Sequence, residues 1–173
     1  MDEIELKFLD INVEEMKNKI KILGAKKVYD EDIISLPFAG EGFSFGDSNK
    51  KLLRIRKVNG EIVITYKGEN RESQMLNKEE IEIKVDDFDK ASLLLERLGF
   101  EKGGLFTKHR EHYEMGDIHF EFDTVFDIPT YLEIETQREE DMFDICKKLD
   151  LDITSGKNKT IIELFPEYFK DVK

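Results

Sequence analysis

A single cysteine, Cys146, occurs among the 173 residues of the chain. That excludes an intrachain disulfide and any zinc site built on several thiolates. Basic charge is also short, with 27 Lys and Arg against 39 Asp and Glu and a net charge of −12. A field of that sign argues against nonspecific nucleic-acid binding, although a locally basic or metal-holding site can still take an anionic ligand. No apolar run approaches the ~18 residues of a membrane span. The first residues, Met-Asp-Glu-Ile-Glu, are acidic where a secretory signal would be basic. A cytoplasmic protein is expected, with neither membrane nor nucleic acid as partner. The glycines at 40, 42 and 46 lack the spacing and the strand–helix setting of a phosphate loop, and read as loop flexibility.

Charge of both signs together is plentiful. Charged residues make up 38 % of the chain and hydrophobic ones 39 %, whereas ordinary domains are about a quarter charged. Apolar residues recur with clear periods, which excludes disorder and leaves a solvated surface or a charged internal site. The length suits one domain over residues 1–173.

Three stretches carry helical spacing. They run from Asn12 to Leu23, from Asp87 to Leu98 and from about Glu140 to Leu149. The first two end in Leu-Gly, and Asn12 with Glu15 forms an N-terminal cap. A short helix is expected around Ile161 to Leu164. Most of the remainder alternates with period two, giving strands at 2–9, 28–36, 51–58, 61–68, 79–86, 105–114, 117–125 and 130–137. Val58-Asn59-Gly60-Glu61 predicts a hairpin through a type I′ turn, and Met115-Gly116-Asp117 a looser one. Residues 37–50 read as a loop over an opening and 69–78 as a connector. Phe38, Phe43 and Phe45 in that loop could stack on a base or pack on the barrel. Glu3-Ile4-Glu5-Leu6-Lys7 recurs as Glu80-Ile81-Glu82-Ile83-Lys84, each copy preceding a helix, and suggests two related halves of one barrel.

Strand parity sorts the charges. Glu3, Glu5 and Lys7 share a face, as do Arg54 and Arg56, Thr65 and Lys67, Glu80 and Glu82, Lys108, Arg110 and His112, His119, Glu121 and Asp123, and Glu133 and Glu135. Ordinarily such faces look into water. Here the opposite faces are apolar enough to lie under three amphipathic helices, and acids and bases are segregated by strand. The expected fold is therefore α+β: a closed antiparallel eight-stranded β-barrel with amphipathic helices packed outside and the charges inside. About eight strands leave room for one small ligand. Buried bases and acids need compensation, which a polyphosphate with a hard cation supplies, and carboxylates without a His–Cys cluster favour Mg²⁺ or Mn²⁺ over zinc. His112 and His119 read as polar wall residues, with metal ligation or proton transfer as the other reading. His109 has the opposite parity and is expected outside, and Cys146 in a helical core stripe.

The ordered series Glu3-x-Glu5-x-Lys7, Arg54-x-Arg56, Lys67 before Gly68, Glu80-x-Glu82, Lys108-x-Arg110, Asp123 and Glu133-x-Glu135 resembles the CYTH superfamily, the triphosphate tunnel metalloenzymes. The wording of Lys108-x-Arg110-x-x-Tyr113 and Phe122-Asp123-Thr124-Val125 is most similar to the class IV adenylate cyclase branch. That branch makes 3′,5′-cyclic AMP and pyrophosphate from ATP. Sister branches hydrolyse thiamine triphosphate or inorganic triphosphate. The chain departs from the pattern at Lys78, at Asp127-Ile128-Pro129-Thr130 and at Thr160-Ile161-Ile162-Glu163-Leu164.

The resemblance implies ATP or another triphosphate as ligand, Mg²⁺ or Mn²⁺ as cofactor, and a homodimer. It implies Glu3 and Glu5 as metal ligands on one side, with Glu133 and Glu135 on the other. Asp123 would be a further ligand or would orient a metal-held water. Arg54, Arg56, Lys67, Lys108 and Arg110 would grip phosphate oxygens. Lys7 would touch phosphate or hold the carboxylates in place. Lys7, Arg110 and Asp123 are the residues assigned to the chemistry itself. Glu80 and Glu82 would support the site, either on metal or as balance for the bases.

Overall fold

A computed structural model describes residues 2–71 and 74–172. Nine strands and four α-helices follow in chain order: β1 (Asp2–Phe8), α1 (Val13–Ile22), β2 (Lys26–Ala39), β3 (Leu52–Val58), β4 (Glu61–Lys67), β5 (Leu76–Val85), α2 (Phe88–Arg97), β6 (Glu101–Lys102), β7 (Phe106–Met115), β8 (Ile118–Val125), β9 (Ile128–Thr136), α3 (Glu139–Lys148) and α4 (Ile161–Leu164). The sheet order is β3-β4-β5-β1-β9-β8-β7-β2, all antiparallel, and β2 pairs back onto β3. Eight strands thus close into a barrel, and two-residue β6 adds to the end of β2 at Phe38 and Ala39.

Local chemistry explains the corners. Asn59 and Gly60 both have positive φ, as the type I′ hairpin requires. Asn12 accepts a hydrogen bond from the Glu15 amide, and Asp87 one from the Lys90 amide, to open α1 and α2. Thr160 and Glu163 form a reciprocal capping box on α4.

The expected orientation holds: apolar faces point out, under the helices. Ile4, Leu6, Phe120, Leu132 and Ile134 pack beneath Met16 and Ile20 of α1 and Met142 and Ile145 of α3. Cys146 belongs to the same core. Leu36, Phe38, Leu53 and Ile55 pack beneath Ala91 and Leu95 of α2. Coverage is incomplete on β5, where Ile81 and Ile83 are exposed on the outer face. No helix among the described residues is long and apolar enough to cross a membrane.

Several boundaries differ from the sequence expectation. Strand β2 continues through Pro37 and Phe38 to Ala39, because both the β3 ladder and β6 accept it there. The loop is therefore shorter than 37–50. Phe38 is fully buried in the outer core, and Phe43 packs edge-on against Phe100 and Tyr66, so neither is available to a base. Strand β5 begins at Leu76, inside the expected connector, of which residues 72 and 73 lie outside the described residues. The echo of β1 in β5 is partial: Lys7 is buried, while Lys84 is exposed and pairs with Glu61.

Candidate functional site

The barrel brings the inward charges into contact in pairs fixed by register. Glu5 lies opposite Glu135 and Lys7 opposite Glu133 in the β1–β9 ladder. Glu121 lies opposite Glu133 between β8 and β9, and Arg110 opposite Asp123 between β7 and β8. The two acid pairs, expected on opposite sides, therefore share one wall of neighbouring strands. Glu3, Glu5 and Glu135 each bring one carboxylate oxygen within 4.8 Å of the others. Glu121, Glu133 and Glu135 form a second such group.

Cations thread between these acids. Lys67 donates to Glu3 at 2.6 Å and lies 3.3 Å from both Glu5 and Glu80. Lys7 pairs with Glu5 and, at 3.1 Å, with Glu133. Arg56 pairs with Glu82, which also accepts from the Thr65 hydroxyl at 2.7 Å. Asp123 is fully buried and receives Arg110 through Nε and Nη2, both at 2.6 Å, Lys108 at 2.6 Å and the Tyr131 hydroxyl at 3.3 Å. Arg110 also pairs with Glu121. Asp123 belongs to neither acid group.

Burial and these partners set the proton affinities. Burial pushes Glu5 up, but the Lys7 and Lys67 ammoniums more than offset it and hold the group below the usual carboxylate range. Glu3 is raised well above that range by burial, against the pull of Lys67. For Glu135 burial is outdone by the His119 hydrogen bond, then by Lys67 and Arg110, and the group is lowered. Glu133 is pushed up to about 7 by burial and the nearby Glu5 carboxylate.

Two chambers share Glu3, Arg54, Lys67, Arg110 and Glu135 as common wall. The smaller, about 120 Å³, is bounded by the 44–47 loop and by Thr160, Ile161 and Ile162 of the tail, with Lys7, Lys78, Lys108 and Glu133 among its charged walls. Phe45 lines it, unlike Phe38 and Phe43. The larger, about 430 Å³, is lined by Arg56, Glu80, Glu82, His112, His119 and Glu121, with exposed Asp117 and Gln137 at its rim. There Tyr29 stacks on His112 at 4.7 Å. Tyr29 faces inward with the same parity as Ser35 and Pro37 of β2, and the register shift of that strand lies before it, between Lys27 and Tyr29. His109 lies on the outer face between Asp30 and Asp32.

All the predicted site residues except Asp123 line one or both chambers, and Asp123 holds two cations that line the smaller one. Sequence reading missed three residues. Glu121 has inward parity but only one acid near it in sequence. Lys78 was left just outside β5, although it shares parity with Glu80 and Glu82. Tyr131 falls in the expected strand 130–137 but was given no role.

The acid groups fit a divalent cation. Every donor is a carboxylate oxygen, as hard ions prefer, and Glu3 Oε2 is buried with no hydrogen-bond partner.

A family model described as the CYTH domain matches residues 1–160. A Methanocaldococcus jannaschii protein, MJ0240, provisionally named an adenylate cyclase, is 32 % identical, with 94 % of this chain and 96 % of that protein covered. The PH1012 protein of Pyrococcus horikoshii is 32 % identical with a TM-score of 0.78, over 94 % of this chain and 98 % of its own. HpAC1 of Hippeastrum, described as an adenylyl cyclase homologue with a dominant triphosphatase activity, shares the fold at 18 % identity and a TM-score of 0.61, over 96 % of this chain and 95 % of its own.

Proposed function

The chain belongs to the CYTH domain family, and on that premise we propose that it is a metal-dependent enzyme that converts ATP to 3′,5′-cyclic AMP and pyrophosphate inside the barrel. The observation that carries this reading is the convergence of Glu3, Glu5 and Glu135 within 4.8 Å in the smaller chamber, whose wall of Glu3, Arg54, Lys67 and Glu135 is shared with the larger one. That arrangement suits a metal–triphosphate complex and little else of comparable size. The full-length similarity to a protein named as an adenylate cyclase supports cyclisation in particular.

Glu3, Glu5 and Glu135 would hold Mg²⁺ or Mn²⁺. When bound, the cation supplies positive charge to phosphoryl oxygens. The protein's own residues do the rest. Arg54 and Lys67 bind phosphate oxygens, the first through a planar fork and the second as a compact charge. Arg110 and Lys108 present further positive charge, and Asp123 fixes their positions. Lys7 keeps Glu5 ionised and holds both Glu5 and Glu133 in place. The closed wall excludes bulk water, which strengthens every one of these contacts as charge develops on the leaving group. In the reaction the ribose 3′-oxygen bonds to the α-phosphorus, the bond to the bridging oxygen breaks, pyrophosphate leaves and the hydroxyl proton passes to solvent.

Hydrolysis of a triphosphate is the second reading. It is favoured by the triphosphatase activity attributed to the Hippeastrum relative of the same fold. Chromatography of the products after incubation with ATP and Mg²⁺ or Mn²⁺ separates the two. Cyclic AMP and pyrophosphate in equal amounts support cyclisation. Only ADP or AMP with phosphate moves the assignment to hydrolysis. An intact pool of ATP and of inorganic triphosphate contradicts both.

A further inference from the structure

Strand β5 outruns one of its two neighbours. Its pairing with β1 ends at Glu79 opposite Asp2, whereas its pairing with β4 continues to Val85 opposite Ile62. From Ile81 to Val85 it therefore has β4 on one side and, among the described residues, no strand on the other. The Glu79 carbonyl accepts a hydrogen bond from the Gly68 amide, on the β4 side. Backbone groups alternate between the two sides of a strand, so those of Ile81 and Ile83 also face β4. Those of Glu82 and Lys84 face the open edge. The outer face of the same segment is apolar and bare. Ile81 and Ile83 are 51 % and 55 % exposed, while Ile4 and Leu6 of neighbouring β1 lie beneath α1 and α3. An open edge with an apolar face is a template for one more strand.

Charges on an edge strand ordinarily discourage pairing. Here their order, Glu82-Ile83-Lys84, favours one occupant, a second copy of the same strand. Antiparallel pairing about a two-fold axis at Ile83 sets each Glu82 against the partner's Lys84 and each Ile81 against the partner's Val85, and Ile83 meets itself. A shift of two residues either way sets Glu82 against Glu82 or Lys84 against Lys84, which is unfavourable. Asp86 lies past the end of the strand and outside this ladder. The present partner of Lys84 is Glu61, an exposed pair that holds it only weakly. We infer that two copies of this chain associate through residues 81–85 of β5, in an antiparallel ladder centred on Ile83. Glu82 lines the larger chamber, so the partner's Lys84 would stand at the edge of that chamber. The inference is independent of which reaction the tunnel performs.

The test combines sedimentation velocity over a concentration series with cysteine cross-linking under mild oxidation. In the inferred register Ile83 forms a non-hydrogen-bonded pair with itself, with Cα atoms about 4.5 Å apart, within reach of a disulfide. Two Ile81 Cα atoms would be four residues of strand apart, about 13 Å, and out of reach. Ile83→Cys is therefore expected to form a disulfide-linked dimer at least about tenfold faster than Ile81→Cys, or than Ile22→Cys on exposed α1. The wild-type chain should sediment as a dimer that dissociates on dilution. Lys84→Pro removes an amide that faces the open edge and leaves the β4 ladder intact, and should raise the dissociation constant about tenfold or more. Lys84→Glu, which sets Glu82 against a like charge, should act in the same direction and gives the reading where the proline variant does not fold. A wild-type chain that stays monomeric at every concentration overturns the inference. So does equal cross-linking of Ile81→Cys and Ile83→Cys, or a dimer that Lys84→Pro and Lys84→Glu leave as tight as wild type, either of which would put the contact on another face or in another register.

Discussion

Glu5 and Glu135 are direct cross-strand partners in the β1–β9 ladder, with both carboxylates turned into the tunnel. Residues from opposite ends of the alternating region thus become immediate neighbours. Two like charges at that spacing are tolerable because Lys7 and Lys67 stand beside them, and because a cation can complete the group.

Glu5→Gln or Glu135→Gln keeps side-chain volume and removes the charge that holds metal. Each is expected to lower turnover by roughly two orders of magnitude or more. Circular dichroism and the melting curve should still report a folded barrel. Activity near wild type in both would remove the metal assignment.

Among the described residues no carboxylate lies within ion-pairing distance of Arg54, whose buried Nε also lacks a partner. Arg54→Ala should weaken triphosphate binding by about 1–3 kcal/mol, as for one lost charge-assisted contact. Titration calorimetry reads this directly, and unchanged affinity would place the phosphates elsewhere.

Asp123 spends both oxygens on Arg110, Lys108 and Tyr131. Its role in this account is to position cations rather than to hold metal. Asp123→Asn leaves two buried cations short of their counter-ion and should cost about 3–5 kcal/mol in urea unfolding. Mg²⁺ affinity of the folded variant should stay within about twofold. A selective loss of metal binding at full stability would restore Asp123 as a ligand.

How much of this was legible beforehand follows from which forces were local. Period-two alternation placed Glu3, Glu5, Arg54, Arg56, Glu133 and Glu135 on one face without reference to tertiary structure. Asn59-Gly60 announced its turn for the same reason. What parity cannot give is which strands become neighbours, so Glu5 and Glu135 were assigned to opposite sides. Pro37 and Phe38 look like loop residues until β3 and β6 are present to pair with them. Lys78 was missed because the start of β5 carries no turn signal.

Outside the tunnel, Glu111 joins β7 to α1 and β2 through Lys17 at 2.5 Å and Lys27 at 2.8 Å. Burial raises its pKa, but the hydrogen bonds from the two lysines prevail and lower it from 4.5 to about 2. The sign is that of a depressed carboxylate: its stabilisation is complete above pH 4.5 and is lost as pH falls toward 2. Glu111→Gln should cost about 1–2 kcal/mol near neutral pH, allowing for partial screening by solvent, and little near pH 2. Urea unfolding of both proteins at the two pH values checks this, and an equal gap at both would contradict it.

The direct test of the central claim is anomalous diffraction from crystals grown with Mn²⁺ and a non-hydrolysable ATP analogue. A manganese peak among Glu3, Glu5 and Glu135, with the phosphate chain against Arg54 and Lys67, is the predicted result. Nucleotide bound on the outer surface, or manganese away from the tunnel acids, would contradict it.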